Sequence, residues 1–191
     1  MRHDRIRDTF ATIMKVVCFD VEIEPKLQPL EGESFVHKTT TTEDEARLDI
    51  KANGLWNSRF CRTFFDVKVF NPLAKSCPKD INEAYKFHET QKKMKYESRT
   101  INVEKSTFNP LVFACTGGTG PSTTRLITRL ASKVNEKGTE SYSDAISYIR
   151  TKISFALLRS CVLCLRGCRS PRRPPATESS ISAIVHEGGL S

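Results

Sequence analysis

Two short apolar segments that each carry one acidic residue constrain this chain more than any other feature. The first, residues 46–50, contains Asp49, and the second, residues 64–70, contains Asp66 and Lys68. Side chains alternate between the two faces of a strand, so Asp66 and Lys68 point to the same face. The apolar residues between them point to the opposite face, namely Phe65, Val67 and Val69. If the segments are neighbouring strands, two carboxylates and an ammonium group share one surface, which is costly to bury unless a metal ion and a phosphate use them.

The periodicity of apolar residues predicts an α/β fold with a mixed central sheet flanked by helices on both faces. The predicted elements follow the order α-β-β-β-α-β-α-α: a helix at 4–18, strands at 20–25, 46–51 and 62–70, a helix at 79–104, a strand at 108–115, and helices at 121–137 and 141–166. In the helix at 79–104 we expect a narrow buried stripe of Ala84, Phe87, Gln91 and Met94. We predict one domain at 1–166 and a disordered basic tail rich in Ser, Pro and Arg at 167–191.

The charge and cysteine content narrow the expected partners and compartment. The net charge of +8 and the estimated pI of about 9.2 favour a polyanion, with nucleic acid the first choice. Seven cysteines, an odd number, argue against a secreted disulfide scaffold and favour a reducing compartment. No segment reaches the roughly 20 apolar residues that a membrane-spanning helix needs, so we expect no membrane partner.

The acidic pair suits the hydrolysis of a phosphodiester. Asp49 and Asp66 would bind Mg²⁺ or Mn²⁺ through oxygen, with further positions filled by water, substrate and the carbonyl of Val67. Lys68 would orient the attacking water or stabilise charge on the phosphate. The alternative is a pair of surface acids on half-exposed strands, with Lys68 paired to Asp66.

With the element order added, the pattern resembles the PD-(D/E)XK nuclease superfamily, whose fold is called restriction-endonuclease-like. A wider set of stretches is similar to the domain downstream of reverse transcriptase in invertebrate retroelement polyproteins. These are residues 2–8 (RHDRIRD), 24–29 (EPKLQP), 46–50 (ARLDI), 64–72 (FFDVKVFNP), 95–99 (KYESR) and 109–120 (NPLVFACTGGTG). The resemblance covers about residues 1–170 and implies metal-dependent cleavage of DNA.

The resemblance also implies roles for the flanking helices. The first helix of the superfamily often carries a glutamate that faces the metal; here Arg5 stands in the similar stretch, and we expect Asp8 or Asp4 to complete the metal ligands. In some of these nucleases a Gln and a Tyr on the following helix lie beside the active site, which marks Gln91 and Tyr96 here. The basic residues of the same helix could bind phosphates, or form a merely solvated face: Lys92, Lys93, Lys95 and Arg99.

Two further motifs have both a structural and a functional interpretation. Residues 116–120 (TGGTG) precede a helix, which suits a tight turn, with a backbone contact to a phosphate as the alternative. Residues 161–168 contain Cys161, Cys164 and Cys168, which suggest zinc, but we favour free cysteines that pack as small apolar side chains.

Three functions remain open from the sequence. The first is a Mg²⁺-dependent or Mn²⁺-dependent endonuclease domain of retroelement origin that hydrolyses DNA, or an RNA–DNA hybrid. The second is a catalytically inactive remnant that still binds nucleic acid, and the third is a protein-interaction module with a basic tail. For the first two we expect an intracellular, nuclear location.

Overall fold

The computed structural model describes residues 2–28, 46–56 and 60–166. Within these residues the chain forms α1 (Arg2–Val17), β1 (Phe19–Ile23), β2 (Ile50–Asn53), β3 (Arg62–Phe70), α2 (Ile81–Asn102), β4 (Thr107–Ala114), α3 (Pro121–Glu136) and α4 (Tyr142–Arg166). The predicted α/β class, with a mixed sheet flanked by helices, is confirmed. The predicted tail at 167–191 lies outside the described residues.

The four strands form one sheet in the order β1-β2-β3-β4. Strand β2 runs antiparallel to both β1 and β3. Strands β3 and β4 are parallel, with Asp66 opposite Pro110. Parallel neighbours require a crossover connection, and α2 supplies it. Pro110 has no N–H to donate, and a proline is tolerated here because β4 is an edge strand.

Helices cover both faces of the sheet. On one face α1, α3 and α4 bury the main core, which includes Phe10, Phe65, Val67 and Phe113. The rings of Phe10 and Phe113 lie 5.5 Å apart between centroids. On the other face α2 covers a smaller cluster around Phe70, Ala84 and Val112. The main core therefore takes Phe65 and Val67, and the side of the sheet that α2 covers takes their neighbour Asp66.

Strand β2 is shorter at its start than the sequence predicts. Residues 46–49 were expected within it, but it begins at Ile50, and Arg47 forms only an isolated bridge with Lys26. The reason lies in the side chain of Asp49, which accepts the N–H of Val67 on β3 at 2.5 Å. Because that N–H is taken by a carboxylate rather than by a backbone carbonyl, the regular ladder ends at Ile50.

The predicted apolar stripe of α2 is largely wrong. Ala84 is buried as expected, but Phe87 is 47% exposed, Met94 is 81% exposed, and Gln91 is exposed. The residues that α2 buries are Ala84, Tyr85, Glu89 and Thr100. The inner face of this helix is polar because its side chains bond to groups of β3 and α3, which an apolar pattern cannot reveal.

The glycine-containing stretch at 116–120 is a tight turn that leads into α3. Gly117 and Gly118 have φ of 105° and 87°, the region that glycine adopts at little cost. The carboxylate of Glu89 accepts the N–H of Ser122 at 2.8 Å and its hydroxyl at 2.9 Å. A side chain from α2 therefore bonds the first turn of α3, where the alternative interpretation expected a phosphate.

Candidate active site

The two acidic residues named from the sequence lie side by side. Asp49 lies just before β2 and contacts β3 twice: its backbone N–H donates to the carbonyl of Phe65 at 3.1 Å, and its carboxylate accepts the N–H of Val67, the residue after Asp66. The two carboxylates are close enough for the charge of Asp49 to raise the pKa of Asp66. The hydrogen bond from the Val67 N–H holds the carboxylate of Asp49 against β3.

Asp66 is a buried carboxylate with cationic and phenolic partners on α2. The residue is only 5% exposed, and it forms an ion pair with Lys92. Burial raises the pKa of Asp66, the nearby charge of Asp49 raises it further, and Lys92 acts in the opposite direction. Burial raises the pKa of Tyr96 on the same helix to about 12, and the nearby negative charge of Asp66 acts in the same direction. Asp66 therefore carries an unfavourable buried charge that a second cation would relieve.

His3 on α1 is a partner of Asp49 that the sequence analysis did not identify. Its Nε2 lies 2.8 Å from a carboxylate oxygen of Asp49, and this hydrogen bond is the main reason why the pKa of His3 is raised. His3 was missed because we looked for an acidic residue on the first helix. Histidine is also a common metal ligand and proton-transfer residue, so the presence of His3 at the start of the first helix would have been the signal.

Lys68 lies at the same site without an acidic partner among the described residues. It is half-buried and lines a cleft of about 340 Å³ together with His3, Val67, Val69 and Lys92. The ion-pair partner of Asp66 is Lys92, not Lys68 as the surface-pair alternative supposed. Lys68 is therefore left facing the cleft, where a ligand could reach its ammonium group.

The two acids of α1 that were expected to complete the metal ligands contact neighbouring residues of the same helix. Asp8 is exposed and accepts a hydrogen bond from Arg7 Nε at 2.9 Å. Asp4 approaches the other ring nitrogen of His3 at 3.4 Å. Arg5 lies beside α4, in a groove with Phe155 and Leu158. Among the described residues, the hydrogen bonds and ion pairs of Asp8 do not include Asp49 or Asp66.

The six residues proposed for nucleic-acid binding are divided between two surfaces. Lys92 pairs with Asp66, and the Lys95 ammonium lies 4.8 Å from the centroid of the Tyr96 ring. Arg99 donates to the carbonyl of Gln28 at 2.6 Å. Lys93 lines a different cavity, and Gln91 is exposed on the same helix.

The type of residue at this site fits a magnesium ion, but the number of protein ligands is small. Mg²⁺ is commonly held by one or two carboxylates and several waters, which Asp49 and Asp66 could provide. The raised pKa of Asp66 shows that added positive charge would be favourable there. Among residues 2–28, 46–56 and 60–166, no cluster of three or more His, Cys, Asp or Glu side chains is arranged to hold a metal.

The cysteines near the end of α4 do not assemble a site in the described part of the chain. The thiol of Cys161 donates to the carbonyl of Cys115 at 2.9 Å, and Cys164 is exposed. Cys168 lies outside the described residues.

Comparison with protein-family models and with curated proteins finds no match for this chain. In the part of the chain that the structure describes, every helix is too short or too polar to cross a membrane.

Proposed function

We propose that this chain is a metal-dependent endonuclease domain with a restriction-endonuclease-like core, derived from a retroelement, that hydrolyses phosphodiester bonds of DNA. One observation carries the proposal: the partners of the two acids, His3 of Asp49 and Lys92 of Asp66, line one cleft together with Lys68, which has no ion-pair partner among the described residues. Charged residues are rarely buried without a reason, and Asp66 is only 5% exposed and lies close to a second acid, Asp49. Clusters of titratable groups with shifted pKa values are typical of catalytic sites.

Each residue of the site would have its own role in metal binding or hydrolysis. Asp49 and Asp66 provide the negative charge that holds a divalent cation, and Asp49 is kept in place by the Val67 N–H. Lys68 projects into the cleft, where its ammonium can bind the phosphate and stabilise the charge that develops on it. His3, hydrogen-bonded to Asp49 through Nε2, holds that carboxylate from the side of α1. A bound Mg²⁺ or Mn²⁺ would supply a lowered pKa for its water and neutralise the leaving oxygen.

The basic character of the site supports a nucleic-acid substrate. Lys68 and Lys92 line the cleft, and Lys95 stands one helical turn from Lys92. The phosphodiester backbone is the polyanion that such a surface attracts, and a net charge of +8 agrees with this. An intracellular, nuclear location follows from the same proposal.

A second function is favoured by a different observation. Lys92 already neutralises Asp66, and His3 already bonds Asp49, so the carboxylates have partners without a metal. That arrangement suits an inactive remnant of the same domain that keeps the basic surface and binds nucleic acid without cutting it.

A plasmid-nicking experiment separates the two functions. Wild type is incubated with supercoiled plasmid and Mg²⁺ or Mn²⁺ beside Lys68→Ala and Asp66→Ala. The first function predicts nicking that falls by about 10²-fold or more in both variants, the size typical of losing one transition-state contact. Equal rates for wild type and variants would remove the catalytic function. Salt-sensitive retention of DNA in a gel, without nicking, would then support the remnant.

A further inference from the structure

A second cavity, of about 480 Å³, lies along the first half of β4 and shares no lining residue with the cleft at Lys68. Its size falls in the range of small-molecule sites, about 300–1,000 Å³. Its lining has two aromatic side chains, two cationic ones, three polar ones and a cysteine: Trp56, Phe108, Lys93, Arg125, Thr107, Asn109, Ser122 and Cys61.

The cavity is open because only part of the free edge of β4 is covered. Toward the end of the strand, Val112 bonds to Thr123 Oγ1 at 2.8 Å and to the N–H of Gly120 at 2.9 Å. Ala114 bonds to the carbonyl of Gly118 at 3.3 Å. Within the described residues these bonds do not extend to Phe108 or Pro110, so the first half of the edge faces the cavity.

Two positive charges approach this cavity from different helices without being neutralised. Lys93 of α2 and Arg125 of α3 form no ion pair with a carboxylate of the described residues, and Arg125 only approaches the hydroxyl of Ser122 at 3.5 Å. The preceding residue, Lys92, is by contrast paired with Asp66. A pair of free cations beside one cavity is suited to a phosphate group.

The remainder of the lining suits a flat heterocycle. Trp56, which is half-buried, and Phe108, which is 8% exposed, both line the cavity. The side-chain amide nitrogen of Asn109 is buried and has no hydrogen-bond partner among the described residues. A buried donor left unpaired is unfavourable, and a carbonyl oxygen of a ligand would satisfy it.

We propose that this cavity binds a nucleotide, with its base against Trp56, a base carbonyl at Asn109, and its phosphate at Lys93 and Arg125. Stacking on an aromatic side chain is how proteins hold unpaired bases. The nucleotide could be free or part of a single strand. This inference goes beyond the proposed hydrolysis, because it involves neither Asp49 nor Asp66 and needs no metal.

The chain contains one tryptophan, so its fluorescence reports on this cavity alone. The protein is titrated with a short oligothymidylate and, separately, with thymidine monophosphate, both in EDTA so that no strand is hydrolysed. We expect saturable quenching of Trp56 by at least one of them. Quenching by the monophosphate identifies a free-nucleotide site, and quenching by the strand alone identifies an unpaired-strand site.

Matched variants make the result specific. Lys93→Gln and Arg125→Gln should each weaken binding about tenfold, and for the strand each should lower the slope of log affinity against log salt by about one. The controls Lys86→Gln on α2 and Arg150→Gln on α4 remove the same charges from exposed positions and should change affinity less than about twofold. Absence of quenching by both ligands, or equal weakening in the controls, would overturn the proposal. Circular dichroism checks that all four variants fold.

Discussion

The carboxylate of Asp49 accepts a hydrogen bond from the backbone N–H of Val67 at 2.5 Å. Val67 is the residue between Asp66 and Lys68, so this bond fixes the first acid to the centre of the motif that carries the second. It also ends the β2 ladder at Ile50. The same contact thus shortens a strand and brings two negative charges together. Holding like charges together costs stability, and a role in metal binding would explain why the chain keeps them there.

Asp66→Asn should stabilise the fold near neutral pH. The folded-state pKa of Asp66 is raised above its ordinary 3.8, so wild-type stability falls as pH rises from about that value through the raised pKa. Asparagine does not titrate, so the advantage of the variant should grow across that window and then stay constant. Thermal unfolding at several pH values should show a gain of about 1 kcal/mol at pH 7, the scale of other single stabilising changes.

The control for this experiment is Asp8→Asn, an exposed acid that should change stability little. If Asp66→Asn instead lost the same amount of stability at every pH, the claim that burying the charged Asp66 carboxylate destabilises the fold would be contradicted.

His3 and His88 should titrate on opposite sides of their ordinary pKa of 6.5. The hydrogen bond to Asp49 raises the pKa of His3, whereas burial and the charges of Lys68 and Lys92 lower that of His88. The bond between His3 and Asp49 therefore contributes stability that is complete below about pH 6.5 and is lost as pH rises through the raised value. An NMR titration of the ring protons measures both.

Asp49→Asn should lower the pKa of His3 and leave that of His88 nearly unchanged. If His3 titrates at or below its ordinary value in wild type, the contact between α1 and Asp49 does not exist in solution.

Gly120→Ala should destabilise the protein through Glu89. A Cβ at position 120 would lie 2.5 Å from Oε1 of Glu89, the oxygen that accepts the Ser122 N–H. Displacing that buried carboxylate costs about 1–3 kcal/mol, which denaturant unfolding can measure. In a Glu89→Ala background the same substitution should cost clearly less, and an undiminished cost there would place the strain elsewhere.

Lys92→Met should increase the affinity for Mn²⁺. The Lys92 ammonium neutralises Asp66, so it competes with a metal for the same carboxylate. Removing one adjacent charge should strengthen binding by about tenfold, the effect of roughly 1.4 kcal/mol. Lys93→Met is the matched control, since Lys93 lines the other cavity and should leave metal affinity unchanged. Weaker binding in Lys92→Met would show that the lysine assists the metal rather than opposing it.

The bounds of strand β3 could be predicted from the sequence, whereas the start of β2 could not. Strand β3 was predicted at residues 62–70 and is found at Arg62–Phe70, because its apolar alternation and the following Asn71-Pro72 mark it clearly. The inner face of α2 could not be predicted from the sequence, because Glu89 bonds to Ser122 and Lys92 pairs with Asp66, and both partners are far away along the chain. Polar burial depends on tertiary partners, and no local pattern encodes it.

The candidate site could be predicted only in part, because its tertiary contacts are not visible in the local sequence. Asp66 and Lys68 could be placed on one face from alternation alone. The approach of His3 to Asp49 and of Lys92 to Asp66 depends on how α1 and α2 pack against the sheet. Asp8 was chosen because an acid was expected on α1, yet it bonds to Arg7 instead.

The most direct test of the central claim is calorimetric titration of the protein with Mn²⁺. If Asp49 and Asp66 hold a metal, wild type binds one ion, Asp66→Asn and Asp49→Asn lose that binding by about a hundredfold or more, and Asp8→Asn binds as wild type does. Binding that survives in Asp66→Asn, or that is lost in Asp8→Asn, would contradict the claim that the metal lies between β2 and β3.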